Sequence, residues 1–231
     1  MIEELLPDAV VTVEANGDEP VEGAALYPEY PEEQALIARA VEKRRREFTV
    51  VRACARRAMD KLGVPPQPVL TGDRGAPQWP DGLIGSMTHC EGYAAAALAR
   101  ATDLASLGID AEPHLPLPDG VLPSVSLPAE DARLRALAAE HPAVHWDRLL
   151  FSAKESVYKA WFPLTRKWLD FTEADIEVGL APGHTTSGVF RARLLVPGPV
   201  VDGRRVEHFD GRWTVGRGLV ATAVTVSYDG G

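Results

Sequence analysis

Cysteine is scarce: Cys54 and Cys90 are the two in 231 residues, and nothing in their placement has metal-ligand spacing. A disulfide framework is therefore not expected, and two buried thiols in a reducing compartment are. Long apolar runs are missing as well. No stretch of about 18 apolar residues occurs, and the opening MIEELLPDAV is acidic without a continuous apolar core. These absences argue against a membrane span or a secretory leader and point to the cytoplasm. Positive charge is in deficit, with 24 Lys and Arg against 33 Asp and Glu and a net charge of -9. That balance disfavours a nucleic-acid partner, whose phosphates are held by Lys and Arg. With 45% apolar and 25% charged residues the chain reads as an ordinary globular protein, long enough for one large domain or two smaller ones.

The pattern along the chain alternates strand and helix signals. An alternating stretch at 9–15 leads through a proline-rich loop, YPEYPEEQ, to a helical stretch over 32–62, with Gly63 and Pro65 as its stop. After a Gly- and Pro-rich loop at 64–82, LIGSMTH and YAAAALA read as a hairpin around CEG. LASLGIDAE is a further strand. PHLPLPDGVLPSVSLP, with five prolines, is read as irregular, and helices are expected at 128–140 and 144–163. The chain is strand-like from 173, ending in the hairpin RWTVGRGLVATAVTVSY. Each half thus runs strand, long helix, strands and hairpin, with a seam near 100–106. No residue-level repeat accompanies that order, and a single mixed α+β domain fits it equally.

Four stretches carry groups suited to chemistry. In GIDAEPH, 108–114, Asp110 and Glu112 are two apart on a strand and so face the same way, opposite Leu107, Ile109 and Ala111. Two like charges side by side need a proton or a cation between them, and a divalent ion supplies the latter. In HWDRLLFSAKESVYKAWF, 145–162, Leu149 or Leu150, Ala153, Val157, Ala160 and Trp161 form an apolar stripe. Lys154, Glu155, Tyr158 and Lys159 lie beside it. By itself Glu155 with Lys159 describes a surface ion pair contributing about 0.3 to 0.5 kcal/mol. EKRRREFTVVRACARRAMDK, 42–61, holds Arg44, Arg45, Arg46, Arg52, Arg56 and Arg57 with few glutamates, so a phosphate is the expected partner. GSMTHCEG and GDRGAP add Thr88, His89 and Arg74, none of which speaks alone. Together the set describes phosphoryl-group chemistry on a nucleotide-like donor with Mg²⁺.

GIDAEPH followed about 40 residues later by FSAKESVYKAWF resembles the Sfp-type 4′-phosphopantetheinyl transferases, whose pattern is G-[IV]-D-x-E and then W/F-x-x-K-E-[SA]-x-x-K. KRRREFTVVRACARRAM, GSMTHC and HWDRLLFSAKESVYKAWFPLT are similar to the actinobacterial branch, over most of 30–228. The resemblance implies transfer of 4′-phosphopantetheine from coenzyme A to a serine of an apo acyl or peptidyl carrier protein, releasing adenosine 3′,5′-bisphosphate. The carriers would belong to fatty-acid, polyketide, nonribosomal-peptide or siderophore synthesis. It implies an α+β fold of two similar subdomains in a pseudo-twofold arrangement, here 1–104 and 105–231, with the active site at their interface and the chain a monomer.

Carried over by motif, Asp110, Glu112 and Glu155 would bind Mg²⁺, with Mn²⁺ as an alternative, and Asp110 would also lie against coenzyme A. Glu155 would act as general base on the carrier serine. Lys159 would stabilise the departing phosphate and Lys154 would hold the pyrophosphate. Arg44 and Arg52 match the grip on the 3′-phosphate, helped by His89, with Thr88 near the pyrophosphate and Arg74 near the adenine or phosphate. Eight helical residues rotate by about 80°, so Arg44 and Arg52 can still converge on one phosphate; Arg45, nearly in line with Arg52, would serve as well on geometry, and Arg44 rests on the resemblance. Thr71 stands where relatives often carry a lysine, so one basic contact is absent. Trp161, Phe162, Trp168 and Phe171 are read first as core and second as lining for the pantetheine arm. An acidic carrier calls for a local basic or apolar docking face. The competing readings are a metal-dependent nuclease, which would need a basic surface, and a non-catalytic coenzyme A or nucleotide-binding module, which would not need Glu155.

Overall fold

The computed structural model describes residues 1–17 and 30–228. The first part of the chain forms β1 (Val11–Asn16), α1 (Pro31–Leu36), α2 (Glu42–Lys61), β2 (Leu70–Thr71), β3 (Pro77–Gln78), β4 (Leu83–Cys90), β5 (Tyr93–Arg100) and β6 (Ser106–Pro113). There follow α3 (Leu122–Val125), α4 (Pro128–Glu140), α5 (Trp146–Thr165), β7 (Ala174–Leu180), β8 (Ser187–Leu194), β9 (Val200–Val201), β10 (Arg204–Arg205), β11 (His208–Gly216) and β12 (Leu219–Val226). The architecture is the expected mixture of helices and antiparallel sheet. One sheet has the order β1-β5-β4 and the other β6-β12-β11-β8-β7, with β9-β10 and β2-β3 as short ribbons. Among the described residues no helix is long and apolar enough to cross a membrane.

Small side chains let the layers close. β5 is alanine-rich and buried on both faces: Ala96 and Leu98 pack with Ala53, Ala55, Ala58 and Met59 of α2. Ala95, Ala97 and Ala99 meet Leu107, Ile109, Ala111, Ala221 and Ala223 of the second sheet. The other face of that sheet presents Val220 and Val224 to Leu149, Ala153, Val157, Ala160 and Trp161 of α5, the apolar stripe read from the sequence. Four layers result: α2, the three-stranded sheet, the five-stranded sheet and α5.

β6 lies between two partners. One edge pairs with β12, setting Asp110 opposite Thr222 and Glu112 opposite Val220. The outward amides of Ile109 and Ala111 donate instead to the hydroxyls of Ser86 and Thr88 on β4, each at 3.1 Å. A buried amide must find an acceptor, and here side-chain hydroxyls stand in for a strand. On the helix side, Ser106 Oγ donates to Ala160 O at 2.7 Å, and Gly108 lets α5 approach. A Cβ at Gly108 would fall 2.0 Å from Ser156 O and 2.7 Å from Ala160 N.

Three expectations about elements are corrected. The stretch 32–62 is two helices, broken at 37–41, where Val41 is extended (φ -67, ψ 157). There the Arg45 guanidinium donates to Ala38 O and Ala40 O, satisfying carbonyls that a continuous helix would have used. The proline-rich stretch after β6 is not wholly irregular, because Pro123 falls in the first turn of α3, where a missing amide removes no helical bond. The arginines of α2 are not uncompensated as a set. Arg56 donates to both oxygens of buried Glu33, at 3.0 and 2.8 Å, and Arg57 pairs with Asp60 at 2.8 Å.

Gly108→Ala should lower stability by about 3 kcal/mol, since the added methyl meets backbone that cannot turn aside. Gly179→Ala, with nothing within 4 Å of its Cβ, should change it by about 1 kcal/mol or less. Urea unfolding of both variants measures the contrast.

Candidate functional site

α5 runs antiparallel along β6, so its side chains meet the strand face that carries Asp110 and Glu112. Asp110 is 4% exposed; its Oδ1 accepts from Lys159 Nζ at 2.8 Å and from Thr88 Oγ1 at 3.3 Å. Lys159 also donates to Ile109 O at 3.0 Å. Glu112 Oε2 accepts from Arg148 Nη1 at 2.9 Å. Arg148 further holds Leu115 O at 3.0 Å and Pro116 O at 2.9 Å, fastening the loop after β6 to the helix. The two like charges are thus each neutralised by a separate cation from one helix. Lys159 pairs with Asp110, so the ordinary surface ion pair between Glu155 and Lys159 does not form. Arg148 was not anticipated, although its place seven residues before Glu155 sets both on one helical face.

Glu155 is half-buried and makes no hydrogen bond or ion pair among the described residues. Burial foremost, and the charge of Asp110 in addition, raise its pKa above the usual carboxylate value, with Lys159 opposing. Burial and Asp110 raise Glu112 as well, against the pull of Arg148. Glu112 and Glu155 therefore both feel the charge of Asp110, and a cation beside them would relieve that repulsion.

A cleft of about 1050 Å³ joins the two parts of the chain, lined among others by Arg44, Arg52, Arg74, His89, Glu155 and Lys159. Arg44 Nη1 donates to His89 Nε2 at 2.6 Å, which requires that nitrogen to be unprotonated, and burial and Arg44 lower the His89 pKa accordingly. Arg52 is buried, its guanidinium 3.2 Å over the Phe48 ring, and it donates to Val69 O at 2.9 Å and Thr71 Oγ1 at 3.2 Å. Burial lowers it to about 10, leaving it charged at neutral pH. Thr71, noted in place of a lysine, is thus an acceptor for Arg52. Arg45 is turned to its backbone carbonyls, so geometry separates it from Arg44 after all. Arg74, in the left-handed region at φ 53, lies 5.4 Å from the Trp168 ring. Trp161 is core, Phe162 is buried yet also lines the cleft, and Trp168 is 51% exposed and packs on Tyr158 at 5.0 Å.

One expected ligand is elsewhere. Lys154 is 3% exposed and pairs with Glu130 at 2.9 Å while donating to Phe171 O and Ala174 O. An ammonium has three donors, all taken, so Lys154 has none left for a pyrophosphate.

No three His, Cys, Asp or Glu side chains among the described residues stand as a ready-made metal cage. Asp110, Glu112 and Glu155 are not gathered into one ligand group, because Lys159 and Arg148 hold the first two. The donors nevertheless suit a hard cation. Asp110 Oδ2 is buried with no hydrogen-bond partner, and Mg²⁺ is bound through one or two carboxylates plus substrate phosphates and water rather than a closed protein shell.

Comparison with known proteins gives the family. A model of the 4′-phosphopantetheinyl transferase N-terminal domain matches residues 32–99, and one of the 4′-phosphopantetheinyl transferase superfamily matches 106–193. The chain is 59% identical over 231 residues to the 4′-phosphopantetheinyl transferase Svp of Streptomyces mobaraensis, covering 100% of this chain and 91% of that protein. It is 53% identical over 197 residues to PptT of Mycobacterium tuberculosis, covering 85% of each. To Npt of Nocardia iowensis it is 48% identical over 231 residues, covering 97% of this chain and 99% of the relative.

A carboxyl with a higher pKa folded than unfolded binds more protons in the folded state, so it subtracts stability above its folded pKa, and the deficit vanishes below the unfolded value of 4.5. Glu155→Gln should therefore be more stable than the parent at pH 7. The difference should shrink as pH falls towards 4.5, which denaturation of both proteins across that range will show.

Proposed function

The chain belongs to the 4′-phosphopantetheinyl transferase superfamily, and on that premise we propose that its cleft holds coenzyme A and passes the 4′-phosphopantetheinyl group to a serine of an apo carrier protein. The observation that carries this reading is the convergence of the Arg44–His89 pair, Glu155 and Lys159 on one cleft beside a buried, half-satisfied Asp110. Arg44 and Arg52 bind the 3′-phosphate, with His89 holding the Arg44 guanidinium in place through its unprotonated nitrogen. Arg74, also lining the cleft, approaches the adenosine, steadied by Trp168. Thr88 orients Asp110 through its hydroxyl proton.

Asp110, Glu112 and Glu155 are the residues that would hold Mg²⁺, or Mn²⁺ in its place. Such an ion offsets the negative charge that develops on the pyrophosphate. Glu155, unpartnered and with its pKa raised by burial, takes the proton of the carrier serine directly or through water. The serine oxygen forms a bond to the phosphorus bearing pantetheine, and the bond to the other phosphate breaks, releasing adenosine 3′,5′-bisphosphate. Lys159 stabilises that leaving phosphate. Its contacts to Asp110 and Ile109 O place the ammonium at the cleft wall.

The site draws on both parts of the chain, which supports a division at 104/105 into two similar α+β subdomains with the site between them. Each carries one long helix, α2 or α5, on an antiparallel sheet. A complete cleft within one chain supports a monomer, and coenzyme A chemistry with unpaired Cys54 and Cys90 supports a cytoplasmic enzyme.

Incubation with apo acyl and peptidyl carriers, coenzyme A and Mg²⁺ should add phosphopantetheine to the carrier mass. No adduct on any fatty-acid, polyketide or peptide carrier would refute the reading. Glu155→Gln should retain coenzyme A binding and lose transfer, separating an enzyme from a mere binding module. Arg44→Ala should weaken coenzyme A binding about 10- to 100-fold, the range for a charge-assisted contact. It should leave 3′-dephospho-coenzyme A nearly unaffected, as calorimetry with both ligands will test.

A further inference from the structure

Beneath Glu155 lies a buried ion pair that the transfer mechanism does not use. Lys154, the residue before Glu155 on α5, donates to Phe171 O, to Ala174 O at 3.0 Å and to Glu130 Oε2 at 2.9 Å. Glu130, on α4, is 1% exposed; its Oε2 also accepts the Leu127 amide and its Oε1 the Ile176 amide, each at 2.7 Å. One pair of charges therefore joins α4, α5, the start of β7 and the turn at 171–174. That turn continues the segment bearing Trp168 and Phe171, which with Glu155 and Tyr158 line a small cavity of about 100 Å³. Phe171 stacks on Phe151 of α5 with ring centres 5.9 Å apart.

Glu155 has no hydrogen bond of its own among the described residues, so its place depends on how α5 is set and on the wall beside it. A buried charge pair fully supplied with hydrogen bonds is a poor source of stability against an apolar replacement and a good means of selecting one arrangement. We propose that Lys154 and Glu130 are positioning residues: their buried ion pair sets the register of α5 against the 168–174 segment and so aims Glu155 for proton transfer, without Lys154 touching the pyrophosphate. The inference rests on phosphopantetheinyl transfer as the reaction.

The test uses Lys154→Met, Glu130→Gln and the double variant in the full chain. Either single change strands a buried charge or its partners, whereas the double change removes both charges. The double variant should melt above the Lys154→Met protein, its coenzyme A Kd by calorimetry should stay within about twofold of the parent, and kcat should fall by about 10²-fold, as expected for a catalytic group displaced by about 1 Å. KM for coenzyme A should stay unchanged. Glu130→Gln, which leaves Lys154 its two carbonyl acceptors, should show the same split in milder form and serves where the other variants do not fold. A tenfold or greater rise in Kd in the Lys154 variants would make Lys154 a phosphate ligand. An unchanged kcat in a folded variant would reduce the pair to a structural brace. Either result overturns the proposal. Absence of coenzyme A binding by the parent would overturn the functional reading instead, leaving the melting comparison to judge the pair by itself.

Discussion

A strand set between two sheets has a second edge to satisfy, and β6 does so with hydroxyls and an ammonium in place of a backbone ladder. Ser86 and Thr88 accept the amides of Ile109 and Ala111, and Lys159 donates to the carbonyl of Ile109. A buried amide left unpaired costs about 1 to 3 kcal/mol, so these contacts hold the two sheets in one relation. They also draw Thr88 and Lys159 onto Asp110, which lies between them. The seam of the fold and the acidic centre of the site are therefore built from the same residues.

Two carboxylates on one strand face are tolerated because α5 offers each its own cation, Lys159 for Asp110 and Arg148 for Glu112. What remains uncompensated is specific: Asp110 Oδ2 and the carboxyl of Glu155. Those are the acidic groups of the site without a hydrogen-bond partner among the described residues. Packing of small residues, Gly108 above all, brings α5 against β6 and holds these acids and their cations together.

Much of this was legible beforehand. The apolar stripe of α5, the hairpin around Glu91 and Gly92 and the facing of Asp110 and Glu112 follow from periods of 3.6 and 2 and from turn residues. The arginines of α2 stood out by type and number, whereas Glu155, by itself half of an ordinary ion pair, was singled out by the family resemblance. Arg148 left a usable signal, lying on the face of α5 that bears Glu155. The partnership of Glu33 with Arg56 left none, because 23 residues and a helix break separate them. The same holds for Lys154: its motif position suggested a cleft ligand, and only Glu130 on another helix, with the Phe171 and Ala174 carbonyls, takes its charge inward.

The sequence by itself determined the inventory and the local geometry: which residues share a face, where helices and strands run, and which family the paired motifs resemble. Tertiary structure decided allocation. Whether a cation faces substrate or core, whether Arg44 or Arg45 reaches the cleft, and whether two acids are relieved by protein or await a ligand depend on contacts between residues distant in the chain. Local periodicity orients a side chain about its own helix or strand. It carries no information on which other element packs there, and electrostatic partnership falls off within a few ångströms.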